Sequence, residues 1–483
     1  MHDLIVIGDD LSSHVAAAAA AGYGLDTALV AEHGTGGICL FGDFVFNIDP
    51  TPLSGFGVNQ TCLSLLAELG VPPIERDGRL LNPAYQIILP EHRIDFFNEK
   101  DALVNELARE FPGQAKKIKN FYKSVTKKSA IFSQWLQTHP FIQPRNLNDC
   151  YDYLKLIPHL LRQQTEKNKF KSLLARNASL NKVFEAQEAL LWSTIGNQNS
   201  ISSNFLYSSP FRGIYYFQQG KQIIFNSLIK KLESKRGLYL SNCKILNINN
   251  GKSVEIEVAD KAGKTSIISA KYLIVSTKWE GMPFLLADKK KINFGDWISP
   301  VKISHFPFTI HLGCNRKCIP EKMANHVAVV ADVQKNIFDN NLIVLESGIP
   351  ADETMPVVTK VSLTATVFLP DDPVVWSNEN LAAQASSITD RLEFFLPFLK
   401  DNIEFFDLDK SIEICKISRS ALNPKYKIRN SFITGFTART NKTRFKNVYL
   451  TGASLLADAG FEGEIISGMN AASRVIGRYA KTT

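Results

Sequence analysis

The first residues of the chain alternate between apolar runs and short polar turns. Residues 4–7 are four consecutive apolar side chains, which predict a strand buried in a parallel sheet. A polar turn at 8–13 follows, and the alanine run 16–21 predicts a helix that packs closely on that sheet. Residues 27–30 predict the second strand. The order strand, turn, helix, strand is typical of the opening of an α/β fold.

A similar pattern returns at the far end of the chain. Residues 447–450 predict a strand and residues 463–478 predict a helix, with a glycine-rich turn between them. We expect the strand to return to the first sheet and the helix to pack against that sheet, so that both ends of the chain build one site.

The middle of the chain separates into a helical part and a strand-rich part. Apolar residues at three- and four-residue spacing predict a helical insert at about 100–200, with helices at 101–111, 114–136, 151–161 and 180–192. A helix at about 222–232 precedes predicted strands at 238–240, 244–248, 254–258 and 272–276. β-branched and aromatic runs predict a second sheet at about 300–370, and residues 381–398 predict a helix.

Composition indicates a large globular chain of two or three domains. The 483 residues are 45% hydrophobic and 21% charged, and the 31 phenylalanines either fill a large core or line an apolar tunnel. Seven scattered cysteines, an odd number, fit free thiols in a reducing compartment. We find no run of about 18 apolar residues and no secretory leader. We therefore expect a cytoplasmic protein without a transmembrane helix.

The net charge of +8 is concentrated in a few segments. The densest holds Lys116, Lys117, Lys119, Lys123, Lys127 and Lys128. This cluster is either a solvated helix face or a docking surface for anionic lipid headgroups, which would make the protein peripheral on a membrane. No nucleic-acid motif accompanies it, so nucleic acid is not an expected partner.

The first turn carries part of the chemistry of a dinucleotide site. A helix N-terminus after a tight turn offers unpaired N–H groups to a pyrophosphate, and glycines let the phosphate approach the backbone. Gly8 is the first of three expected glycines, whereas Asp10 and Ser13 hold the other two positions. Glu32, at the end of the second strand, is at the expected distance for a carboxylate that binds a ribose diol; the alternative is an ordinary surface glutamate.

The order of segments resembles the flavin-dependent amine oxidase and phytoene desaturase superfamily, to which the Rab GDP-dissociation inhibitors also belong by fold. The similar segments are residues 4–32, Gly36 and Gly37, and residues 46–51, 215–228, 244–248, 272–276 and 448–477. The resemblance implies an α/β fold, with a Rossmann-like FAD-binding domain and a mixed α+β substrate domain that carries the helical insert. The implied domains are 1–72, 213–285 and 440–483 for FAD, and 73–212 and 286–439 for substrate.

The resemblance also implies FAD as cofactor and a set of residues around it. The backbone at Gly36 and Gly37 would lie beside the flavin phosphates, and the backbone at Ile245 would lie beside the adenine. The N-terminus of the closing helix would point at the flavin ring. The implied cofactor-binding set is Gly8, Asp10, Ser13, Glu32, Gly36, Gly37, Ile245, Gly452, Gly460, Phe461, Glu462 and Gly463. No catalytic residue is identified, because Glu462 and Glu464 are equally well explained as acids at a helix start. No metal site is expected.

Two departures from the family pattern leave the function open. Asp10 and Asp49 stand where the family has glycines close to the flavin, and each adds a negative charge near the pyrophosphate. The first interpretation is an FAD-dependent oxidoreductase that moves hydride between an apolar or bulky, isoprenoid-like substrate and flavin N5. The second is a non-catalytic binding protein for a lipid, an isoprenoid or a protein, with a weakened or lost FAD site. The third is a flavin enzyme without net redox change, such as an isomerase. Arg212 either meets an anionic substrate or makes an ordinary surface ion pair, and we expect the surface ion pair.

Overall fold

The computed structural model describes most of the chain. The described residues are 1–34, 37–58, 60–138, 174–175, 177–191, 193–195, 201–282, 301–348, 359–417, 422–428, 441–456 and 459–480. The predicted helix at 151–161 and Gly36 lie outside these ranges. Within them, no helix combines the length and the apolar character needed to cross a bilayer.

The described helices, numbered along the chain, are α1 (Leu11–Gly22), α2 (Thr61–Glu68), α3 (Lys100–Glu110), α4 (Ala115–Thr138), α5 (Ala178–Leu191), α6 (Ile201–Tyr207), α7 (Gln222–Ser234), α8 (Asn378–Phe395), α9 (Leu408–Ile417) and α10 (Gly460–Tyr479). The described strands are β1 (His2–Ile7), β2 (Thr27–Ala31), β3 (Ile38–Phe41), β4 (Phe44–Asn47), β5 (Leu53–Ser54), β6 (Arg79–Leu80), β7 (Tyr85–Leu89), β8 (His92–Phe96), β9 (Thr194–Ile195), β10 (Ile214–Tyr216), β11 (Leu238–Ser241), β12 (Lys244–Asn250), β13 (Val254–Ala259), β14 (Thr265–Ser276), β15 (Val301–Asn315), β16 (His326–Val330), β17 (Leu342–Gly348), β18 (Lys360–Pro370), β19 (Ile403–Phe406), β20 (Lys425–Ile428) and β21 (Val448–Thr451).

The first sheet has a parallel centre built from distant parts of the chain. Its parallel strands lie in the order β11, β2, β1, β14 and β21, and β1 pairs Leu4 with Thr27 on one side and with Tyr272 on the other. The antiparallel strands β13 and β12 continue the sheet from the first half of β14. Strand β21 joins the second half of β14, which brings the last part of the chain beside the first strand.

Helix α1 packs closely on this sheet because its side chains are small. The alanines from Ala16 to Ala21 are all buried. On its other side α1 packs against α10, where Gly468 faces the backbone of Ser12. Helix α7 also contacts α1, so three helices cover one face of the parallel strands.

The second sheet runs in the order β8, β7, β16, β17, β18, β15, β20 and β9, with β19 paired to β15. One of its apolar clusters joins the sheet to the inserted helices α3, α4 and α5 through residues such as Leu103, Tyr122 and Val183. Another joins it to α8 through Leu381 and Ile388. The predicted second sheet is therefore present, and it is covered by helices on both faces.

The α/β fold class predicted from the sequence is confirmed, with small differences at element ends. The closing helix begins at Gly460, three residues earlier than predicted, so Phe461 and Glu462 are helical. Strand β14 is longer than the predicted 272–276, because its first half forms the hairpin with β13. The proposed division into FAD and substrate domains stays a prediction.

Candidate functional site at the dinucleotide loop

Asp10 caps the first helix with its own side chain. Its backbone is extended, it is the N-cap of α1, and its side chain is 1% exposed. Its Oδ1 accepts hydrogen bonds from the backbone N–H of Ser13 (3.1 Å), the Ser13 hydroxyl (2.6 Å) and the Ser12 hydroxyl (3.1 Å). Its Oδ2 accepts from the hydroxyl of Ser276, at the carboxyl end of β14 (2.8 Å). The carboxylate therefore lies at the helix N-terminus, where a dinucleotide fold places its pyrophosphate.

The Asp10 side chain is an anion in spite of its burial. Burial alone raises the pKa of this carboxyl, but the Lys278 ammonium and the hydrogen bonds from Ser13 and Ser276 outweigh it, so the pKa lies below the usual 3.8. The positive end of the helix dipole acts in the same direction. The anion site of this helix is thus filled by a charge that belongs to the chain.

Gly8 and Ser13 form the rest of a closed turn. Gly8 has φ of +149°, and a Cβ added there would lie 2.6 Å from the Cβ of Ser276 and closer still to the Ser13 hydroxyl. The glycine is therefore required by the contact of the turn with β14 and α1. This requirement holds whether or not a phosphate approaches the turn.

The two predicted groups at the adenosine end bind each other. Glu32 Oε1 accepts a hydrogen bond from the backbone N–H of Ile245 (2.7 Å). Glu32 Oε2 accepts from the indole N–H of Trp279 (2.9 Å). Trp279 is partly buried and packs on the cluster of apolar residues beneath β12 and β13. A ribose diol would have to compete with this indole for the carboxylate.

A glutamine side chain lies against Gly37, the second glycine of the pair that was predicted to lie beside the flavin phosphates. A Cβ added at Gly37 would lie 2.7 Å from the Cβ of Gln222 and 2.9 Å from its Cα. Gln222 is the first residue of α7. The backbone at Gly37 therefore touches the start of a neighbouring helix.

The closing helix begins among buried ion pairs. Glu462, in its first turn, is fully buried and forms an ion pair with Arg212, and the hydroxyl of Ser54 donates to the same carboxylate (3.2 Å). Burial raises the pKa of Glu462, and Arg212 opposes that effect. The Arg212 guanidinium also lies 3.4 Å from the centre of the Phe205 ring and donates to the Phe205 carbonyl oxygen. The predicted surface ion pair for Arg212 is wrong, because this side chain is almost fully buried.

A second buried ion pair lies on the other side of this helix start. Lys221 Nζ lies 2.6 Å from Asp49 Oδ2 and 3.8 Å from Glu464 Oε1. Burial alone would raise the pKa of Asp49, but Lys221 and the bonds from Thr51 lower it to about 2. Asp49, like Asp10, is therefore an anion with a partner inside the protein.

Among the described residues, little space remains beside the start of the closing helix, where a flavin ring would be expected. Phe461, Glu464, Lys221 and Asp49 line a cavity of about 30 Å³ that extends to Lys425 on the second sheet. This volume holds one or two water molecules, whereas pockets for organic cofactors measure on the order of 300 Å³ or more. Burial lowers the pKa of Lys425 to about 7, and its Nζ donates to the carbonyl of Ala189 (2.6 Å).

The predicted site residues that the structure describes fall into four groups. Gly8, Asp10 and Ser13 form the closed turn, and Glu32 meets Ile245. Gly460, Phe461, Glu462 and Gly463 form the first turn of α10. Gly452 precedes that helix with φ of +136°, and its N–H donates to the hydroxyl of Ser467 (3.1 Å). Gly37 lies against α7, and Gly36 is outside the described residues.

Sequence reasoning missed the partners of these residues. Trp279 follows the carboxyl end of a parallel strand, the edge at which ligands bind in α/β folds, and that position was a usable signal. Ser276 ends the same strand and carried the same positional signal, whereas Lys221 and Arg212 carried none.

Comparison with known proteins agrees with this architecture. No protein-family model matches the sequence, and no curated protein does. Cyclohexylamine oxidase from Brevibacterium oxydans IH-35A superimposes with a TM-score of 0.56 and 11% identity, over 99% of both chains. An oxidoreductase from Methanosarcina mazei gives a TM-score of 0.54 and 13% identity, over 98% of this chain and 100% of the other. The Rab GDI of Plasmodium falciparum gives 0.53 and 11%, over 99% and 98%.

The chain has the fold of the flavin amine oxidases and of Rab GDI. The superpositions establish the fold. At 11–13% identity, the activity has to be argued from the site itself.

FAD does not fit the residues that this chain places at the nucleotide position. The buried Asp10 carboxylate occupies the anion site, and a phosphate charge about 4 Å from it would meet a repulsion of about 4 kcal/mol at an effective dielectric constant near 20. Trp279 donates to the carboxylate of Glu32, which was predicted to bind a ribose, and Gln222 lies against Gly37. The carboxylates of Asp10, Glu32 and Asp49 thus all bind groups of the chain itself.

Proposed function

We propose that this chain uses the amine oxidase fold as a binding scaffold and does not hold FAD. The observation that carries the proposal is the Asp10 carboxylate, which is 1% exposed and accepts four hydrogen bonds at the N-terminus of α1. A dinucleotide would have to displace this carboxylate from donors that already suit it, and would then be repelled by it.

Two of the closing glycines, Gly463 and Gly468, support the same proposal, because each has a packing role. A Cβ at Gly468 would lie 2.8 Å from the Cβ of Val15 on α1, and a Cβ at Gly463 would lie 3.0 Å from the Cβ of Ala459, the N-cap of α10. Contact with α1 therefore accounts for Gly468, and contact with the residues just before α10 accounts for Gly463, without a flavin. The expected ligand is a lipid, an isoprenoid or a protein partner, as for the binding branch of the fold.

An FAD-dependent oxidoreductase is the second candidate. The likeness to cyclohexylamine oxidase over nearly the whole chain favours it. Its substrate would be apolar or bulky, and hydride transfer to the flavin would be the chemistry that the cofactor supplies.

An absorption spectrum of the purified protein, followed by an FAD titration, separates the two candidates. We expect no flavin bands, no flavin released by heat and no quenching of FAD fluorescence by added protein. Flavin bound in stoichiometric amount by the wild type would rule out the scaffold proposal and establish the second candidate.

An Asp10→Asn variant tests the role assigned to that carboxylate. The amide keeps the shape of the side chain and removes its charge, so any residual FAD affinity should rise by about tenfold or more. Asp101→Asn, at a carboxylate that is 89% exposed, is the matched control and should leave FAD affinity unchanged. Equal affinity in both variants would show that Asp10 does not exclude the nucleotide.

A further inference from the structure

Helix α4 carries a stripe of lysines on its exposed face. Lys116, Lys119, Lys123 and Lys127 are exposed and follow one another at spacings of three and four residues. At 100° per residue they fall within about 80° of one another around the helix, and they extend over about 17 Å of its length. We call these four side chains the lysine stripe. Lys117 is exposed on the flank of the same helix.

The opposite face of α4 is fixed in the protein core. Ile118, Tyr122 and Val125 are buried in the apolar cluster beneath the second sheet. Ser129 continues this face, and its hydroxyl lies 2.5 Å from that of Ser208. The lysine stripe therefore projects from a helix that is packed into the core, and it forms without a binding partner.

Nothing within the described part of the chain neutralises the stripe. Helix α4 contains no aspartate or glutamate along its length. None of the stripe lysines forms a salt bridge with a described residue, whereas the three carboxylates of the neighbouring α3 lie beside other cations: Asp101 beside Lys100, and Glu106 and Glu110 beside Arg109. The four ammonium groups thus face solvent as a block of one sign.

We propose that the lysine stripe docks the protein on the surface of a membrane that contains anionic lipid. The stripe consists of lysines alone, which act as point charges and fit a surface whose anions can move beneath them. Helix α4 contains no arginine, whose fork grips phosphates in fixed positions, and neither of its described aromatic side chains, Phe121 and Tyr122, is fully exposed for stacking on bases, so a membrane fits the stripe better than a nucleic acid. This inference does not rest on the absence of FAD.

Vesicle sedimentation with the full chain tests the inference. The probe is a vesicle of phosphatidylcholine with about one third phosphatidylserine, compared with phosphatidylcholine alone. We expect binding to the anionic vesicle at least about tenfold stronger, since each lysine near such a surface contributes on the order of a fivefold preference. Raising the salt from about 0.1 M to about 1 M, which shortens the Debye length from about 10 Å to about 3 Å, should abolish the difference.

Replacement of the stripe lysines by glutamine tests whether vesicle binding depends on the stripe itself or only on the net charge of the protein. Lys→Gln at positions 116, 119, 123 and 127 should bring binding down to the level of neutral vesicles, with the helix retained because the two residues have similar helix propensity. The control is Lys→Gln at 244, 252, 261 and 264, four exposed lysines around β12 and β13, which makes the same change in charge and should keep the preference. Circular dichroism and urea unfolding check that both variants fold.

Three results would overturn the inference. They are equal binding to neutral and anionic vesicles, full binding by the stripe variant, and binding of duplex DNA as strong as binding of the anionic vesicle. The last result would assign the stripe to a nucleic acid instead.

Discussion

At the scale of single residues, the site consists of charged side chains that are paired with other groups of the same chain. Asp10 and Asp49 replace glycines of the resembled family, and both are ionised; Asp10 is buried, whereas the Asp49 side chain is 12% exposed. A buried carboxylate is tolerated only when hydrogen bonds and opposite charges replace its hydration. Serine hydroxyls and a helix N-terminus do this for Asp10, and Lys221 does it for Asp49.

The pair Lys221–Asp49 should be a strong determinant of stability. Lys221→Met leaves the buried carboxylate of Glu464 and the largely buried carboxylate of Asp49 without their ammonium partner, and should lower the free energy of unfolding by about 3–5 kcal/mol. Urea denaturation at neutral pH measures this. Lys360→Met, which removes the exposed partner of Asp43, is the control and should change stability little. A small effect at both positions would contradict the assigned role of Lys221.

The same pair predicts a loss of stability in acid. The pKa of Asp49 falls from 3.8 to about 2 on folding, so its stabilisation is complete above about pH 4 and is lost as the pH falls through 2. The loss should amount to about 2 kcal/mol in the wild type and should disappear in Asp49→Asn. Unfolding curves of the two proteins between pH 5 and pH 2 provide the comparison; parallel curves would exclude this contribution.

At the scale of elements, the contact between the first and last helices decides how the two ends of the chain meet. The small residues of α1 and Gly468 of α10 let the two helices approach closely, and Gly468 lies against the backbone of Ser12. The same sequence feature that suggested a flavin-binding turn is therefore also a helix-packing feature.

Two glycines of α10 provide an internal comparison. Gly468→Ala places a methyl group 2.8 Å from the Cβ of Val15 and against the Ser12 carbonyl, and should destabilise the protein by about 1–3 kcal/mol. Gly477→Ala meets nothing within 4 Å and should stabilise it by about 0.5–1 kcal/mol, because alanine favours the helix. Urea midpoints of the two variants give the result. If both substitutions acted in the same direction, the proposed packing role of Gly468 would be wrong.

At the scale of the whole molecule, a buried hydrogen bond connects the first fifty residues to the second sheet. Asn47 Nδ2 donates to Glu346 Oε1 (2.6 Å) on β17, 299 residues further along the chain. Burial raises the pKa of Glu346 to about 8, and the negative charge of Asp49 acts in the same direction. Glu346 is therefore protonated in the folded protein at neutral pH.

Glu346 predicts that stability falls as the pH rises. The unfolded chain releases this proton above about pH 4.5 and the folded chain only near pH 8, so between these values the wild type should lose up to about 1.4 kcal/mol per pH unit. Glu346→Gln keeps the acceptor for Asn47 and removes the titration, so its advantage over the wild type should grow from pH 5 to pH 8. Glu255→Gln, at an exposed position on β13, should show no such trend. A constant difference between Glu346→Gln and the wild type would place the Glu346 pKa outside this range.

The local pattern of the sequence was sufficient for the fold class and for many of the elements. Strand β1, helix α1 and strand β2 follow from apolar runs and small residues that act over a few positions, and so do β21 and most of α10. The replacement of glycines by Asp10 and Asp49 could also be recognised from the sequence, because glycine has a specific role in a phosphate-binding turn.

Only the tertiary structure decided what those carboxylates do. Glu32 and Trp279 are 247 residues apart, Lys221 and Asp49 are 172 apart, and Arg212 and Glu462 are 250 apart. No periodicity or spacing links such residues. Two charges pair when folding brings them close together, and the strength of the pair depends on how much hydration both lose there. The sequence by itself determined a dinucleotide-type scaffold with altered turns. The fold determined that the anion site is filled by Asp10, since only folding brings the N-terminus of α1 and the end of β14 together around one carboxylate.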